Sequence, residues 1–580
     1  MQLVTLLISL ICLLSCHQHH TAWAHRGGGR TRTYELNITS EKINPDCHNE
    51  SYPHLLVNGQ FPAPPIRVTK NDHVHIVIRN HIDTNQSTTI HYHGILQIGT
   101  CEADGVPGIT QEPIKPGEEY HQRFQVINQA GTYHYHAHVG LHDDTIIGPF
   151  IVYESDEAWP DDECDNNNKK KLKDGPYEYD DERVLLLSEY WHMTDEQRMA
   201  YTLGTSYRGI ALADSYLFNG RTVYDPSKND SKCPGYSVIN VEPNSVYRLR
   251  FIGGVTAAVL SLNIHQHNFT VIEVDGNLVK PYDVSYLEVA PGQRMSVLMR
   301  TLDAKDGESF FINSAPRHVA ASSGNGRAIL RYKRACQKHQ SAIATPADTA
   351  MTATDTTLLH LPAAKSQWIF PYLEPLNGEG VDTSGPPDRT VVIRPSEKVM
   401  PDNTTRWFLN DRLYEESTHM PILHRIMEQS HHERLNILNS SLSAVDGYDS
   451  NLGAYVTAYN EIVDLVIETT TIANGVCIGH PWHTHGMVHH TLASGPGEYN
   501  HERDKDKRTY QTPAFGRDVT FVYPEQPGPP PMTPGDQLCG WSKIRIQTTN
   551  PGAWAVHCHI TMHMLQGMMM ALVTAPDRIH

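Results

Sequence analysis

Apolar runs long enough to cross a membrane are missing from this sequence. The longest, Leu3 to Leu14, falls short of the roughly 20 residues a bilayer span requires. It is followed by Ala22-Trp23-Ala24, small residues at the spacing a signal peptidase needs, although no Lys or Arg precedes the run. Residues 1–24 therefore read as a secretory leader cut after Ala24 and not as an anchor. No second long apolar run follows, so the mature chain is expected to be soluble, without a membrane span. Positive charge is also scarce. The 47 Lys and Arg face 65 Asp and Glu, a net charge of −18. That balance argues against nucleic acid as a partner and is compatible with neutral or cationic substrates. Cysteine is sparse, at ten in 580 residues, and Cys12 and Cys16 leave with the leader.

What is present points to strands and to export. The 37 Pro and 40 Gly favour a turn-rich β-chain over long helices. Seven N-x-S/T sequons, at Asn37, Asn49, Asn85, Asn229, Asn268, Asn403 and Asn439, suit an exported and glycosylated chain. The length suggests about three to four domains. Two stretches resemble linkers: 156–182, dense in charge and Asn, and 337–356, rich in Ala, Thr and Ser. They divide the mature chain into 25–155, 156–336 and 337–580. Each part holds an alternating segment after a turn-prone stretch: His73 to Arg79, Ser245 to Phe251 and Glu461 to Ile467. This recurrence predicts an all-β chain built from a repeated β-sandwich.

The 36 His are unusual, and they cluster. Four clusters stand out: His91-Tyr92-His93-Gly94, His136-Ala137-His138, His480-Pro481-Trp482-His483-Thr484-His485-Gly486, and His557-Cys558-His559-Ile560-Thr561-Met562-His563, which continues to Met568. In a strand, residues i and i+2 share a face. Each H-x-H therefore presents two imidazoles side by side, and four pairs from two domains can hold several metals at one interface. Cys558, between His557 and His559, points to the opposite face and can serve a different metal. With His480, His563 and Met568 it forms the His2Cys-plus-thioether set of a blue-copper electron-transfer site. A single H-x-H is usually only two polar strand residues. Zinc is the competing metal, but structural zinc takes four ligands in one closed site, which four pairs plus a Cys/His/Met set do not match. With Cys558 assigned to metal, seven Cys remain, an odd number, so at least one lacks an intrachain partner.

These clusters resemble the copper-binding motifs of the multicopper oxidases, the family of laccases, ascorbate oxidases and fungal iron oxidases. They occur in the family's order, and flanking segments agree, among them Asn58-Gly59-Gln60-Phe61-Pro62, Asp104-Gly105, Gly131-Thr132-Tyr133, Pro291-Gly292-Gln293-Arg294 and Asn550-Pro551-Gly552-Ala553-Trp554. The resemblance implies three cupredoxin-like Greek-key β-sandwich domains and four coppers. His480, Cys558, His563 and Met568 would hold the type 1 copper, and His91 and His483 the type 2 copper. His93, His136, His138, His485, His557 and His559 would hold the two type 3 coppers. His134, His489 and His490 adjoin the motifs without being ligands in the pattern. Asp104 matches an acidic residue near the type 2 copper that can relay protons. The resemblance also pairs Cys47 with Cys233; Cys477 and Cys539 flank the third-domain clusters and form a second candidate pair.

The chain departs from the pattern at three points. Thr561 stands where family members often carry an acid linked to proton delivery, Glu112 replaces a common Cys, and Met487 replaces a non-ligand His. For substrate, Met568 as thioether favours an easily oxidised diphenol or ascorbate-type reductant, with O2 reduced to water. Ser188-Glu189-Tyr190-Trp191-His192 instead resembles a segment of fungal iron oxidases whose Glu helps bind Fe(II). An organic reductant is the first expectation, Fe(II) the second, and a non-catalytic copper-binding cell-wall protein the third. The location expected is extracellular, whether diffusing or held in a cell wall.

Overall fold

The computed structural model describes residues 29–160, 170–227, 233–318, 326–333, 342–343, 362, 364–377, 383–416, 420–444, 446–472, 475–525 and 537–580. The expected leader, Asn229, Cys164 and Cys336 lie outside the described residues.

Strands dominate, and they pair into three two-sheet sandwiches. In the first, the sheet Tyr52–Val57, Thr31–Ile43, His73–Asn80, Glu119–Gln125 faces the sheet Ile66–Thr69, Ile147–Tyr153, Gly131–Ala137, Ile90–His93. Its core is filled from both sheets, by Ile38, Ile76 and Phe124 on one side and Val68, Tyr92 and Phe150 on the other. The second sandwich has two six-stranded sheets, and the third a five-stranded and a six-stranded sheet. Burial follows the alternation read from the sequence only in part: Val77 is buried together with its neighbours, and Val246–Gly254 and Ile462–Thr470 are buried at every residue after the first. In His73–Asn80, Val74, Ile76 and Ile78 are buried, while His73, His75 and Arg79 are only half-buried.

The three segments singled out by their alternation occupy equivalent places. His73–Asn80 pairs parallel with the first strand of its sheet and antiparallel with Glu119–Gln125. Val246–Gly254 does the same between Asp181–Tyr190 and Arg294–Arg300. Ile462–Thr470 does so between Arg389–Ile393 and Leu538–Gln547. A parallel neighbour distant in sequence, flanked by an antiparallel one, is the crossover a Greek key requires.

Part of the stretch expected as a linker is ordered. Leu172–Asp174 and Tyr177–Tyr179 form a hairpin, and Asp181 opens a long strand. The buried Asp174 carboxylate pairs with Arg248 and the Tyr179 hydroxyl, so this charge-rich segment is pinned to the second sandwich. The charge that suggested solvent is here a buried ion pair.

Two disulfides form as expected. Cys47–Cys233 spans 186 residues and ties the first sandwich to the second, and Cys477–Cys539 spans 62 within the third. Cys101 is buried and free, and burial pushes its thiol up to about 12, which keeps it unreactive. Cross-links over long loops restrict the unfolded chain most. Replacing Cys47 and Cys233 together by Ala should destabilise by about 2–5 kcal/mol. The thermal midpoint should drop by several degrees. An unchanged midpoint would show that the bridge holds nothing the interface does not.

Candidate metal centre

Two strand pairs present the histidines. Ile90–His93 runs antiparallel to Gly131–Ala137, with His91 opposite His136 and His93 opposite His134. His480–Thr484 runs antiparallel to Gly552–Cys558, with His483 opposite His557 and Trp482 opposite Cys558. The first and third sandwiches bring these faces together. The ring of His91 stacks on His485 at 3.9 Å, and that of His93 on His483 at 3.7 Å. His138 meets His557 at 5.2 Å between ring centres, and His93 meets His559 at 4.9 Å.

The ligand atoms fall into overlapping groups, each with its atoms within 4.8 Å of one another: His91, His483 and His485; His138, His485 and His557; His93, His134, His136 and His559; and His93, His483 and Asp518. A further group, His480, Cys558 and His563, lies on the other face of the Gly552–Cys558 strand. There Cys558 Sγ is 3.6 Å from His480 Nδ1 and 3.9 Å from His563 Nδ1. Helix Thr561–Leu565 starts two residues after His559 and returns His563 to the thiol. Met568 is fully buried in the same core, its carbonyl accepting from the Cys558 N–H at 3.0 Å. Trp407 packs over the rings of His480 and His563 at 5.4 and 5.2 Å.

The rings are oriented from behind. His91 Nδ1–H donates to the Asp104 carbonyl at 2.7 Å, and His485 Nδ1–H to the Asp104 carboxylate at 2.9 Å. His483 donates to the Asp518 carbonyl, His136 to that of Ala137, and His557 to that of Cys558. With Nδ1 engaged, Nε2 carries the lone pair and faces inward. Nε2 of His91, His136, His138 and His483 is buried without a hydrogen-bond partner. Burial holds His136 and His480 down to about 3 and His557 to about 4, so these imidazoles are neutral. Buried, neutral, unpartnered nitrogens converging on common points are costly in an apolar interior, and a bound cation offsets that cost. The donor set, imidazoles in one region and thiolate with thioether in the other, fits copper.

The second sandwich completes the enclosure. Arg294 grips Asp518 with two bonds of 2.6 Å, and Asp518 Oδ1 reaches His93 Nε2 at 3.2 Å. Gly292, at φ +77, lies where a Cβ would come within 2.7 Å of the His93 ring and 2.8 Å of the His559 ring. Only a glycine lets this turn close over the imidazoles.

These groups carry the features that comparison with known proteins extends to the whole chain. Models described as multicopper oxidase match residues 37–157, 181–335 and 415–578. The chain belongs to the multicopper oxidase family. It is 27% identical to laccase-like multicopper oxidase 1 of Thermothelomyces thermophilus, over 92% of this chain and 85% of that one. It is 28% identical to the L-ascorbate oxidase of Nicotiana tabacum, over 93% and 89%. The solved structure of Fet3p, a multicopper oxidase that functions in iron import, superposes with a TM-score of 0.71 at 25% identity, covering 95% of this chain and 92% of that one. As a multicopper oxidase this chain binds copper and is an oxidoreductase with O2 as acceptor, and its sandwiches are cupredoxin-like.

The structure places every sequence-derived candidate. Asp104 is fully buried behind His91 and His485. Glu189, offered as a group that meets substrate, is also buried. Its carboxylate accepts the backbone N–H groups of Thr256 and Ala257 at 2.7 Å and of Ala258 at 3.2 Å. It does not line the cavity of about 260 Å³ that opens onto His563. Burial raises the Glu189 carboxyl from 4.5 to about 7. The folded chain therefore keeps a proton that the unfolded chain has released, and stability falls as pH rises through that window. Glu189→Gln should flatten that fall, read as thermal midpoint against pH. An identical slope in wild type and variant would assign the pH dependence elsewhere.

Four residues have a place around the site that the motifs did not give them. Asp518 and Arg294 support the imidazoles from distant segments, and neither belongs to a metal-ligand pattern. Asp143 accepts a 2.6 Å bond from the Thr561 hydroxyl, so a carboxylate from the first sandwich stands beside the position where Thr561 replaces an acid. His134, set aside as a non-ligand, lies within one of the nitrogen groups. Its signal was available: His134, His136 and His138 share one strand face.

Proposed function

We propose that this chain is a secreted multicopper oxidase that oxidises a diphenol- or ascorbate-type organic reductant in one-electron steps and reduces O2 to water. Four coppers are assigned: type 1 to His480, Cys558, His563 and Met568, type 2 to His91 and His483, and the type 3 pair to His93, His136, His138, His485, His557 and His559. When bound, copper supplies the one-electron redox chemistry and the activation of O2. The protein residues hold, orient and enclose it. The observation that carries the reading is the strand ending His557-Cys558, where adjacent side chains serve two separate ligand groups. The domains proposed are 25–155, 156–336 and 337–580, after a leader at 1–24.

Substrate choice rests on the cavity of about 260 Å³ that opens onto His563. Val259, Ile478, Phe521 and Ile560 give it apolar walls, and Glu397 is the one carboxylate among its described lining residues. A ring-sized organic molecule fits such walls. A hard cation such as Fe(II) needs several oxygen donors, and Glu189 is taken up by backbone N–H groups. Export is supported by the leader-like sequence and by exposed sequons at Asn49, Asn85, Asn268, Asn403 and Asn439. No described helix is long and apolar enough to cross a membrane.

Parallel O2-uptake assays with ascorbate, a dimethoxyphenol and Fe(II) test the reading. The organic reductants should give the higher kcat/KM, and Glu189→Ala should lower all activities together with stability. An Fe(II) preference lost selectively in Glu189→Ala would establish the ferroxidase reading instead.

A further inference from the structure

Two neighbouring carboxyl groups of the interior, Asp143 and Asp144, belong to none of the metal groups. They lie in the short turn His142–Asp144, which follows the strand that carries His136, and both are buried. Asp143 accepts the Thr561 hydroxyl at 2.6 Å, and Thr561 stands two residues after His559 and two before His563. Asp144 accepts the Thr256 hydroxyl at 2.8 Å and pairs with Arg198. Thr256 gives its N–H to Glu189 at 2.7 Å, and its carbonyl takes the N–H of Thr561 at 3.0 Å. All three sandwiches thus meet at one polar junction: Asp143 and Asp144 from the first, Glu189, Arg198 and Thr256 from the second, and Thr561 from the third.

Three carboxyl groups share one guanidinium at this junction. Burial, with Asp144 beside it, raises Asp143 well above the usual carboxyl range; burial also raises Asp144, and lifts Glu189 to about 7. These groups keep protons to a higher pH than free carboxyls do. The junction also has a solvent side. Asp195, partly exposed at the start of helix Asp195–Leu203, acts on Asp144 and on His142, and its carboxylate lies 3.2 Å from the buried His54. Reduction of O2 to water takes up one proton with each electron. In a closed, buried site that proton needs a positioned carrier.

We propose that Asp143 carries protons for O2 reduction and hands them on through the hydroxyl of Thr561, in the segment between His559 and His563. The inference rests on the reading that the histidine groups hold copper. For each electron that reaches O2, the Asp143 O–H bond breaks, the Thr561 oxygen takes that proton and passes its own on, and Asp143 regains a proton from the Asp195 side of the junction. Asp143 acts on the site through Thr561.

Two variants of the holoenzyme test it. Asp143→Asn keeps the size of the side chain and an oxygen for the Thr561 hydroxyl, and Thr561→Val keeps the shape and removes the hydroxyl. Each is compared with wild type for copper content, for bleaching of the Cys558 thiolate band by ascorbate without O2, and for O2 uptake in H2O and D2O. Both should keep their copper and bleach at the wild-type rate. Their kcat for O2 uptake should fall about 10²–10⁴-fold, with a larger solvent isotope effect. Exchanging the partners, Asp143→Thr with Thr561→Asp, should recover most of the lost rate, because an acid again stands in the same hydrogen bond. A folded single variant with wild-type kcat and isotope effect overturns the inference and leaves the copper reading intact. Copper lost together with activity in the single variants, or an exchange variant no faster than Asp143→Asn, overturns it too, since the bond is then structural. A wild-type holoenzyme without copper overturns both readings. Where one single variant does not fold, the other decides.

Discussion

Cys558→Ser should lose the intense thiolate absorption and nearly all O2 consumption while keeping its fold. The thiol is fully buried between His480 and His563, and burial alone pushes it far above the range in which it would ionise. A metal that binds it must displace its proton, which is why the site is specific for a cation with a strong affinity for sulfur. Serine is close in size, so the Ala555, Val556 and Met568 packing around the strand end survives. A hydroxyl does not replace a thiolate as a soft donor. Loss of an outer partner of a metal ligand costs roughly 10–100-fold in metal affinity or activity. Loss of a ligand itself exceeds that, so residual turnover should be below about 1%. Copper at the histidine groups of the other face should remain, because their donors are untouched. A Cys558→Ser enzyme with half of the wild-type O2 uptake would show that electrons enter by another route.

The second large effect is at Asp104. One residue fastens two rings: its carbonyl holds His91 and its carboxylate holds His485. Asp104→Ala leaves the carbonyl in place and removes the carboxylate, so His485 loses the acceptor that fixes its tautomer. Copper retention should fall about 10–100-fold. Asp104→Asn keeps an oxygen acceptor of the same size and should hold copper nearly as wild type. What it cannot do is give and take a proton, so kcat for O2 reduction should drop by about 10²–10⁴. Measuring copper content and kcat on both variants separates the two roles. An Asn variant with wild-type kcat would reduce Asp104 to a positioning residue.

Much of the centre was legible in the sequence because it depends on local geometry. The period of two places His557 and His559 on one face and Cys558 on the other whatever else the chain does. The same rule identified the three equivalent central strands. What was not legible depends on segments that meet only in the folded chain. Asp518 has no pattern of its own, and its role appears when Arg294, 224 residues earlier, turns it toward His93. The loss of an acid at Thr561 looked like a gap in proton delivery. In the fold Asp143, 418 residues away, occupies that neighbourhood. Glu189 was read by its place in a motif, and three backbone N–H groups have claimed it. Helix His431–Ser443, with its capping box from Ser430 and Glu433, escaped a reading tuned to strands.

On the proposed ligand assignment, one strand end divides its side chains between a lone metal and a three-metal cluster. Metal analysis of the purified holoprotein by inductively coupled plasma mass spectrometry, against a chain concentration from amino-acid analysis, tests it most directly. Four copper atoms per chain, with negligible zinc, is the result predicted. A single metal per chain, or zinc in place of copper, would contradict it.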